Sequence, residues 1–105
     1  MDNVRKKSIP EIDKHRYLQA MAENLPVLRA KLNLTQTELA DIIGVSRQTI
    51  ASAETGAREM SWNTFISLLF LFVHNEPTNV LLPVLGIYTP ELSNLFNATG
   101  VRKFK

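Results

Sequence analysis

The sequence of 105 residues contains no cysteine, which excludes disulfide bonds, thiolate metal ligands and a cysteine nucleophile. A long apolar run is also missing: the longest, residues 65–73, is far shorter than the roughly 20 residues that cross a membrane. The basic stretch near the N-terminus is not followed by an apolar segment, as it would be in a secretory signal. We therefore expect one soluble, cytoplasmic domain with no membrane partner.

Side chains that carry catalysis or bind a cofactor are equally scarce. The two histidines, His15 and His74, lie far apart in the sequence, and no other histidine or cysteine lies near either to complete a metal site. No serine stands in a G-x-S-x-G motif, and the four glycines form no phosphate-binding loop. We expect no enzymatic activity, no metal and no cofactor.

Positive charge is absent from a long part of the chain, because no Lys or Arg lies between Arg58 and Arg102. The net charge is only +2, whereas seven of the eight aromatic residues lie from Trp62 onward. This division predicts a surface for an anionic partner in one part, and buried or partner-covered apolar surface in the other. The alternative is chance variation in a short chain.

Two short helices are predicted in the middle of the chain. Thr35 and Glu38 have the spacing of a capping box, so a helix over residues 36–43 is expected to end at Gly44. A second helix is expected over residues 47–54, between a capping serine and a glycine. Helices of eight residues are unstable alone, so these two must pack against each other.

Other helices are predicted on both sides of this pair. Periodicity and capping residues favour helices over residues 10–23, 24–33, 62–73 and 90–97. Pro26 is expected in the first turn of a helix or at a kink. Residues 80–88 are compatible with a strand, a short helix or both. The predicted organisation is an N-terminal extension (1–22, a basic start and then a helix), a central domain (23–75) and an apolar C-terminal extension (76–105).

A helix, a three-residue turn containing glycine and a second helix make the helix-turn-helix pattern. This pattern needs a small residue where the helices cross, which is Ala40, and a turn residue that tolerates a left-handed backbone, which is Gly44. It also needs five apolar residues in the crevice between the helices. These are Leu39, Ile43, Val45, Ile50 and Ala53.

The sequence from residue 28 to about 73, and above all LTQTELADIIGVSRQTI, resembles the DNA-binding domain of the phage repressor and Cro-like helix-turn-helix family. The resemblance implies an all-α fold: a small, lambda-repressor-like bundle of about five helices, with terminal extensions. Two positions depart from the family pattern. Thr55 stands where the family commonly has asparagine, and Ala53 where it usually has a larger apolar residue.

The resemblance also implies which residues contact double-stranded DNA. Its second short helix would enter the major groove, where arginine binds guanine and glutamine binds adenine. The expected base contacts are Arg47, Gln48 and Ser52. The expected phosphate contacts, near helix N-termini or just after the second helix, are Gln36, Thr37, Thr49 and Arg58. The alternative is that Arg47 and Gln48 are merely a solvated first turn.

Related repressors pair an arginine of the first helix with a glutamate near the end of the recognition helix. The resemblance therefore implies an ion pair between Arg29 and Glu54 that braces the two helices. The alternative is an exposed pair that contributes little to stability.

A homodimer is expected, because one small DNA-binding head buries too little surface for tight specific binding. The predicted interface lies in the C-terminal half, where apolar residues are numerous: Phe70, Leu71, Leu82, Leu85 and Tyr88. The competing interpretation is that the C-terminal segment folds back on its own protomer and covers Phe70 and Ile42.

The leading hypothesis is a sequence-specific transcriptional regulator, a dimeric repressor that binds a near-palindromic operator. One alternative is an antitoxin that binds operator DNA and also a toxin partner. A second is a protein-interaction module that no longer binds DNA. Such a module would be expected to carry acidic or bulky apolar residues where this chain has Arg47, Gln48, Thr49 and Ser52.

Overall fold

The computed structural model describes residues 9–97, and this part of the chain contains six helices and no strand. They are α1 (Lys14–Lys31), α2 (Gln36–Ile43), α3 (Arg47–Thr55), α4 (Trp62–Val73), α5 (Glu76–Asn79) and α6 (Pro90–Leu95). The all-α prediction is confirmed. The basic start of the chain (residues 1–8) and its basic tail (98–105) lie outside the described residues.

α1 is a single helix of 18 residues where two helices were predicted. Asp13 caps it by accepting a hydrogen bond from the backbone N–H of Arg16. Pro26 lies inside the helix and removes one backbone donor. Apolar residues are buried on both sides of the proline, and their packing keeps the helix continuous: Tyr17, Leu18, Met21, Leu25 and Leu28. The separate helix start near residue 24 is therefore wrong, and the boundary between residues 22 and 23 falls inside α1.

The predicted ends of α2 and α3 are set by their own capping residues. Thr35 accepts a hydrogen bond from the N–H of Glu38 at 3.0 Å, and the Glu38 carboxylate accepts one from the N–H of Thr35 at 2.9 Å. Gly44 ends α2 with a φ of 80°, a left-handed conformation that favours glycine. Ser46 then caps α3 by accepting from the N–H of Thr49 at 3.1 Å. The capping box and the glycine turn are confirmed.

One hydrophobic core joins every part of the described chain. α4, with 12 residues, contributes the buried side chains of Phe65, Leu68, Leu69 and Phe72 to it. No helix within residues 9–97 is both long and apolar enough to cross a membrane. The largest fully buried side chains come from α1 to α4 and from the segment after α5: Tyr17, Met21, Leu25, Leu28, Leu39, Ile50, Phe65, Leu68, Phe72, Leu82, Ile87 and Leu92.

The C-terminal segment folds back onto its own protomer. It forms α5, helical turns and α6, so the strand considered for residues 80–88 is absent from it. Leu82, Ile87 and Leu92 are fully buried in the shared core. Ile42 and Phe70 nevertheless stay 55% and 66% exposed, so the fold-back does not cover them. The predicted dimer contact at Leu82 is wrong, because that side chain is already enclosed within one protomer.

A polar contact fixes the start of α6 to the first turns of α1. The Tyr17 hydroxyl donates to the Glu91 carboxylate at 2.6 Å and also bonds the Thr89 hydroxyl. Arg16 donates to the same Glu91 oxygen at 2.9 Å. Burial, together with the hydrogen bond to Glu91, raises the pKa of Tyr17. The hydroxyl therefore stays protonated and keeps donating at neutral pH.

Candidate nucleic-acid interface

The first turn of α3 projects from the surface while the opposite side of the helix is buried. Ile50 and Ala53 pack into the core, and Arg47 and Gln48 are exposed. Ser52 is half-buried on the same side as Gln48, which donates to its hydroxyl at 3.0 Å. The three side chains predicted to contact bases therefore lie on one helix, with two of them in direct contact.

Gln36, at the start of α2, makes two contacts within the protein. Its side-chain nitrogen donates to Glu54 Oε1 at 3.0 Å, and its side-chain oxygen accepts from Arg47 Nη1 at 3.2 Å. The side chain predicted to contact phosphate is thus engaged between the two ends of α3. Thr37, beside it, is exposed.

The ion pair between Arg29 and Glu54 is present and largely buried. Arg29 donates from two nitrogens to the two carboxylate oxygens at 2.7 and 3.0 Å, and the side chains are only 20% and 8% exposed. A third nitrogen of Arg29 donates to the carbonyl of Leu34 at 2.9 Å. Burial alone would raise the pKa of Glu54, but the hydrogen bonds from Arg29 and Gln36 outweigh it and lower that pKa. The implied pairing is confirmed, and the alternative of an exposed pair is wrong.

The remaining predicted phosphate contacts lie along a groove of about 620 Å³ beside α3. Thr49 is half-buried there and its hydroxyl bonds that of Ser46 at 3.0 Å, whereas Arg58 is exposed. The start of α4 lines the same groove through Ser61 and Thr64. Sequence reasoning assigned Ser61 only as a cap, because nothing local indicates that α4 begins next to α3.

Glu59 brings negative charge to this groove. Its carboxylate accepts a hydrogen bond from Nδ1 of His15 at 2.8 Å, and both side chains are exposed to solvent. The hydrogen bond to Glu59, reinforced by the charge attraction, raises the pKa of His15. The acidic residue nearest the groove is therefore paired with a group from α1.

Residues 28–62 match the family model described as helix-turn-helix. The match identifies this segment as a helix-turn-helix domain, in agreement with its resemblance to the Cro-like and lambda-repressor-like family. The match covers about one third of the chain. No curated protein and no solved structure matches the sequence. Because that family consists of DNA-binding regulators, the match supports a DNA-binding regulator in general.

On another side, the helix-turn-helix domain contributes to an apolar groove of about 540 Å³ between α2 and α4. We call it the α2–α4 groove. It is lined by Ile42, Ile43, Ile66, Ser67, Phe70, Leu71 and His74. They include none of the predicted DNA contacts. Of the predicted dimer contacts, Phe70 and Leu71 line this groove, while Leu85 and Tyr88 lie half-buried outside it.

Proposed function

We propose that this chain is a sequence-specific transcriptional repressor whose α3 enters the DNA major groove. The observation that carries the proposal is the exposed first turn of α3, where Arg47 and Gln48 project from a helix anchored in the core. In this position the guanidinium of arginine can donate to guanine O6 and N7, and the glutamine amide can pair with adenine. Such a complex represses by occupying DNA that the transcription machinery needs.

The phosphate contacts are proposed at the edges of this surface. The first N–H groups of α2 lack partners within the helix and lie at its positive end, beside Thr37. Arg58 and Thr49 are proposed to contact phosphate along the α3–α4 side. Gln36 is proposed to contribute through its backbone N–H rather than its amide, because the amide is engaged with Glu54 and Arg47.

Selection of bound duplexes from a random pool, followed by affinity measurements on the selected sequence, tests this proposal. Arg47→Ala is expected to cost about 1–3 kcal/mol on that duplex and to relax the preference at one base position. Arg58→Ala is expected to weaken binding to all duplexes and to lower the salt slope by about one.

Arg16→Ala is the matched control, because Arg16 is an exposed arginine of α1 that pairs with Glu91 outside the proposed DNA contacts. It should change neither base preference nor salt slope. A uniform loss of affinity for Arg47→Ala would make Arg47 a phosphate contact instead. An unchanged slope for Arg58→Ala would remove Arg58 from the interface.

We further propose that two copies pair through the α2–α4 groove, so that each presents α3 to one half-site of a near-palindrome. Ile42 and Phe70 support this, because they are large apolar side chains left mostly exposed beside an apolar groove. The proposed DNA contacts remain free in such a pair. The two recognition helices would then lie about 34 Å apart, one turn of DNA.

Sedimentation at micromolar concentration tests the pairing. The unaltered chain is expected to be a dimer and Phe70→Glu a monomer, since a carboxylate cannot be buried unpaired in an apolar contact. Val84→Glu is the control, because Val84 is 80% exposed and lies outside the groove. A monomeric unaltered chain would refute the dimer, and a dimeric Phe70→Glu would place the interface elsewhere.

A further inference from the structure

A continuous series of hydrogen bonds runs from α1 to Arg47, the first residue of α3, which is the proposed recognition helix. Arg29 holds the Glu54 carboxylate at 2.7 Å, Glu54 accepts from the Gln36 amide at 3.0 Å, and Gln36 accepts from Arg47 at 3.2 Å. The four residues lie on three helices: Arg29 on α1, Gln36 on α2, and Arg47 and Glu54 near opposite ends of α3. This series of hydrogen bonds is largely buried at the ion pair and exposed at Arg47.

The chemistry of the three groups fixes which way the Gln36 amide points. An ionised carboxylate only accepts hydrogen bonds, and a guanidinium only donates them. The amide nitrogen must therefore lie toward Glu54 and the amide oxygen toward Arg47. The reversed amide would place its oxygen against the carboxylate and its N–H₂ against the guanidinium, losing both bonds.

This orientation has a direct consequence for Arg47. A guanidinium has five N–H donors, and the bond to Gln36 uses one of them. The bond restrains the position of a long, exposed side chain and leaves other donors for the edge of a base. Without it, Arg47 would have to lose more conformational freedom on binding DNA.

We propose that Glu54 is a positioning residue for DNA specificity, acting through the Gln36 amide on the guanidinium of Arg47. This inference rests on the proposed function and extends it to residues that do not contact DNA. Base preference at the position that Arg47 contacts thus depends on Glu54 and Gln36. The ion pair with Arg29 holds Glu54 where it can accept from Gln36.

The competing role for Glu54 is to brace α1 against α3 and nothing more. Bracing requires only the ion pair between Arg29 and Glu54, in which Gln36 has no part. Gln36→Ala removes the connection to Arg47 but retains the buried ion pair, so it separates the two roles. Glu54→Gln retains the side-chain shape and removes the charge that dictates the amide orientation.

The test uses a pool of duplexes with a randomised centre and the full-length chain. After selection, affinities are measured on the selected duplex and on its three single-base variants at the position that Arg47→Ala relaxes. Gln36→Ala and Glu54→Gln are each expected to reduce the preference at that position about five-fold, a value typical of coupled neighbours. In an Arg47→Ala background, neither change should reduce it further.

Gln19→Ala is the matched control, because Gln19 also donates to a carboxylate, that of Glu23, but lies on the exposed surface of α1. It should leave the preference unchanged. The inference is overturned if Gln36→Ala and Glu54→Gln lower the affinity for all four duplexes equally, or lower only the melting temperature. If the unaltered chain selects no sequence at all, the proposed function itself is refuted.

Discussion

The helix-turn-helix segment and the segments that flank it are specified in different ways. α2 and α3 begin and end at residues that cap them locally, such as Thr35, Gly44 and Ser46. α1 and α6 also have local caps, Asp13 and Thr89, but the N-terminal half of α1 and residues 76–97 depend in addition on contacts between distant parts of the chain. One example is the bond from Tyr17 to Glu91, 74 positions away. The ends of α2 and α3, in the DNA-binding head, are therefore set by local residues, whereas the flanking segments that support the head depend more on long-range packing.

The two regions nevertheless share one core. Leu82, Ile87 and Leu92 lie beyond the segment that matches the family, yet they are buried together with Leu39 and Ile50 of the helix-turn-helix. Removing everything after residue 75 would therefore expose core side chains rather than isolate an intact head. The dependence of the head on its support is better examined with single substitutions.

The largest effect is expected from a core residue of the support. Leu92→Ala removes a fully buried side chain and should lower the free energy of unfolding by about 2–5 kcal/mol. Urea unfolding followed by circular dichroism measures it, with exposed Val84→Ala as a control that should change stability by less than about 0.5 kcal/mol. A loss confined to α6, with the helix-turn-helix melting as before, would show that the two regions do not fold as one unit.

The same contrast explains what the sequence predicted. The bounds of α2, the start of α3 and the crevice residues followed from local spacing, and the family resemblance indicated the ion pair of Arg29 with Glu54. Burial confirms the pattern at Leu39, Ala40, Ile50 and Ala53, while Ile43 and Val45 are only partly buried.

What could not be predicted depends on partners far away in the sequence. The continuity of α1 through Pro26 follows from burial on both sides of the proline, which outweighs one missing hydrogen bond. The burial of Leu82 results from the fold-back of a segment whose local sequence pattern was ambiguous. The engagement of Gln36 requires both Glu54 and Arg47 to be in place, which no spacing rule reveals.

An intermediate effect is expected at the joint between the two regions, where Glu54 of α3 meets Arg29 of α1. Because the folded-state pKa of Glu54 is lowered, its contribution is fully present above the unfolded-state value of about 4.3. It is lost as the pH falls through the lower folded-state pKa. At neutral pH, Glu54→Gln should cost about 1.5–3 kcal/mol, the range for hydrogen bonds to charged groups.

Urea unfolding of the unaltered chain and of Glu54→Gln is measured from pH 7 to pH 3. Because the two proteins share all other carboxylates, the difference between them reports on the Glu54 carboxylate alone. The difference in unfolding free energy between them should shrink below about pH 4.3 as Glu54 becomes protonated. A difference that stays constant, or that grows on acidification, would contradict the assigned charge state. His15→Ala offers a comparison of opposite sign. Because the pKa of His15 is raised, its contribution is present below the unfolded-state value of about 6.5 and is lost as the pH rises through the higher folded-state pKa.

The smallest effect is expected at Asn33, which connects α1 to the turn before α2. Its φ of 57° is left-handed, a conformation that asparagine tolerates better than most residues with a side chain. Asn33→Gly removes the remaining strain but adds freedom to the unfolded chain, so stability should change by less than about 0.5 kcal/mol. Alanine tolerates this left-handed conformation less well than asparagine, so Asn33→Ala should lower the free energy of unfolding by about 1 kcal/mol. Thermal melting compares the stabilities of the two variants. Equal stability would show that the connection between α1 and α2 does not require a residue that favours the left-handed conformation.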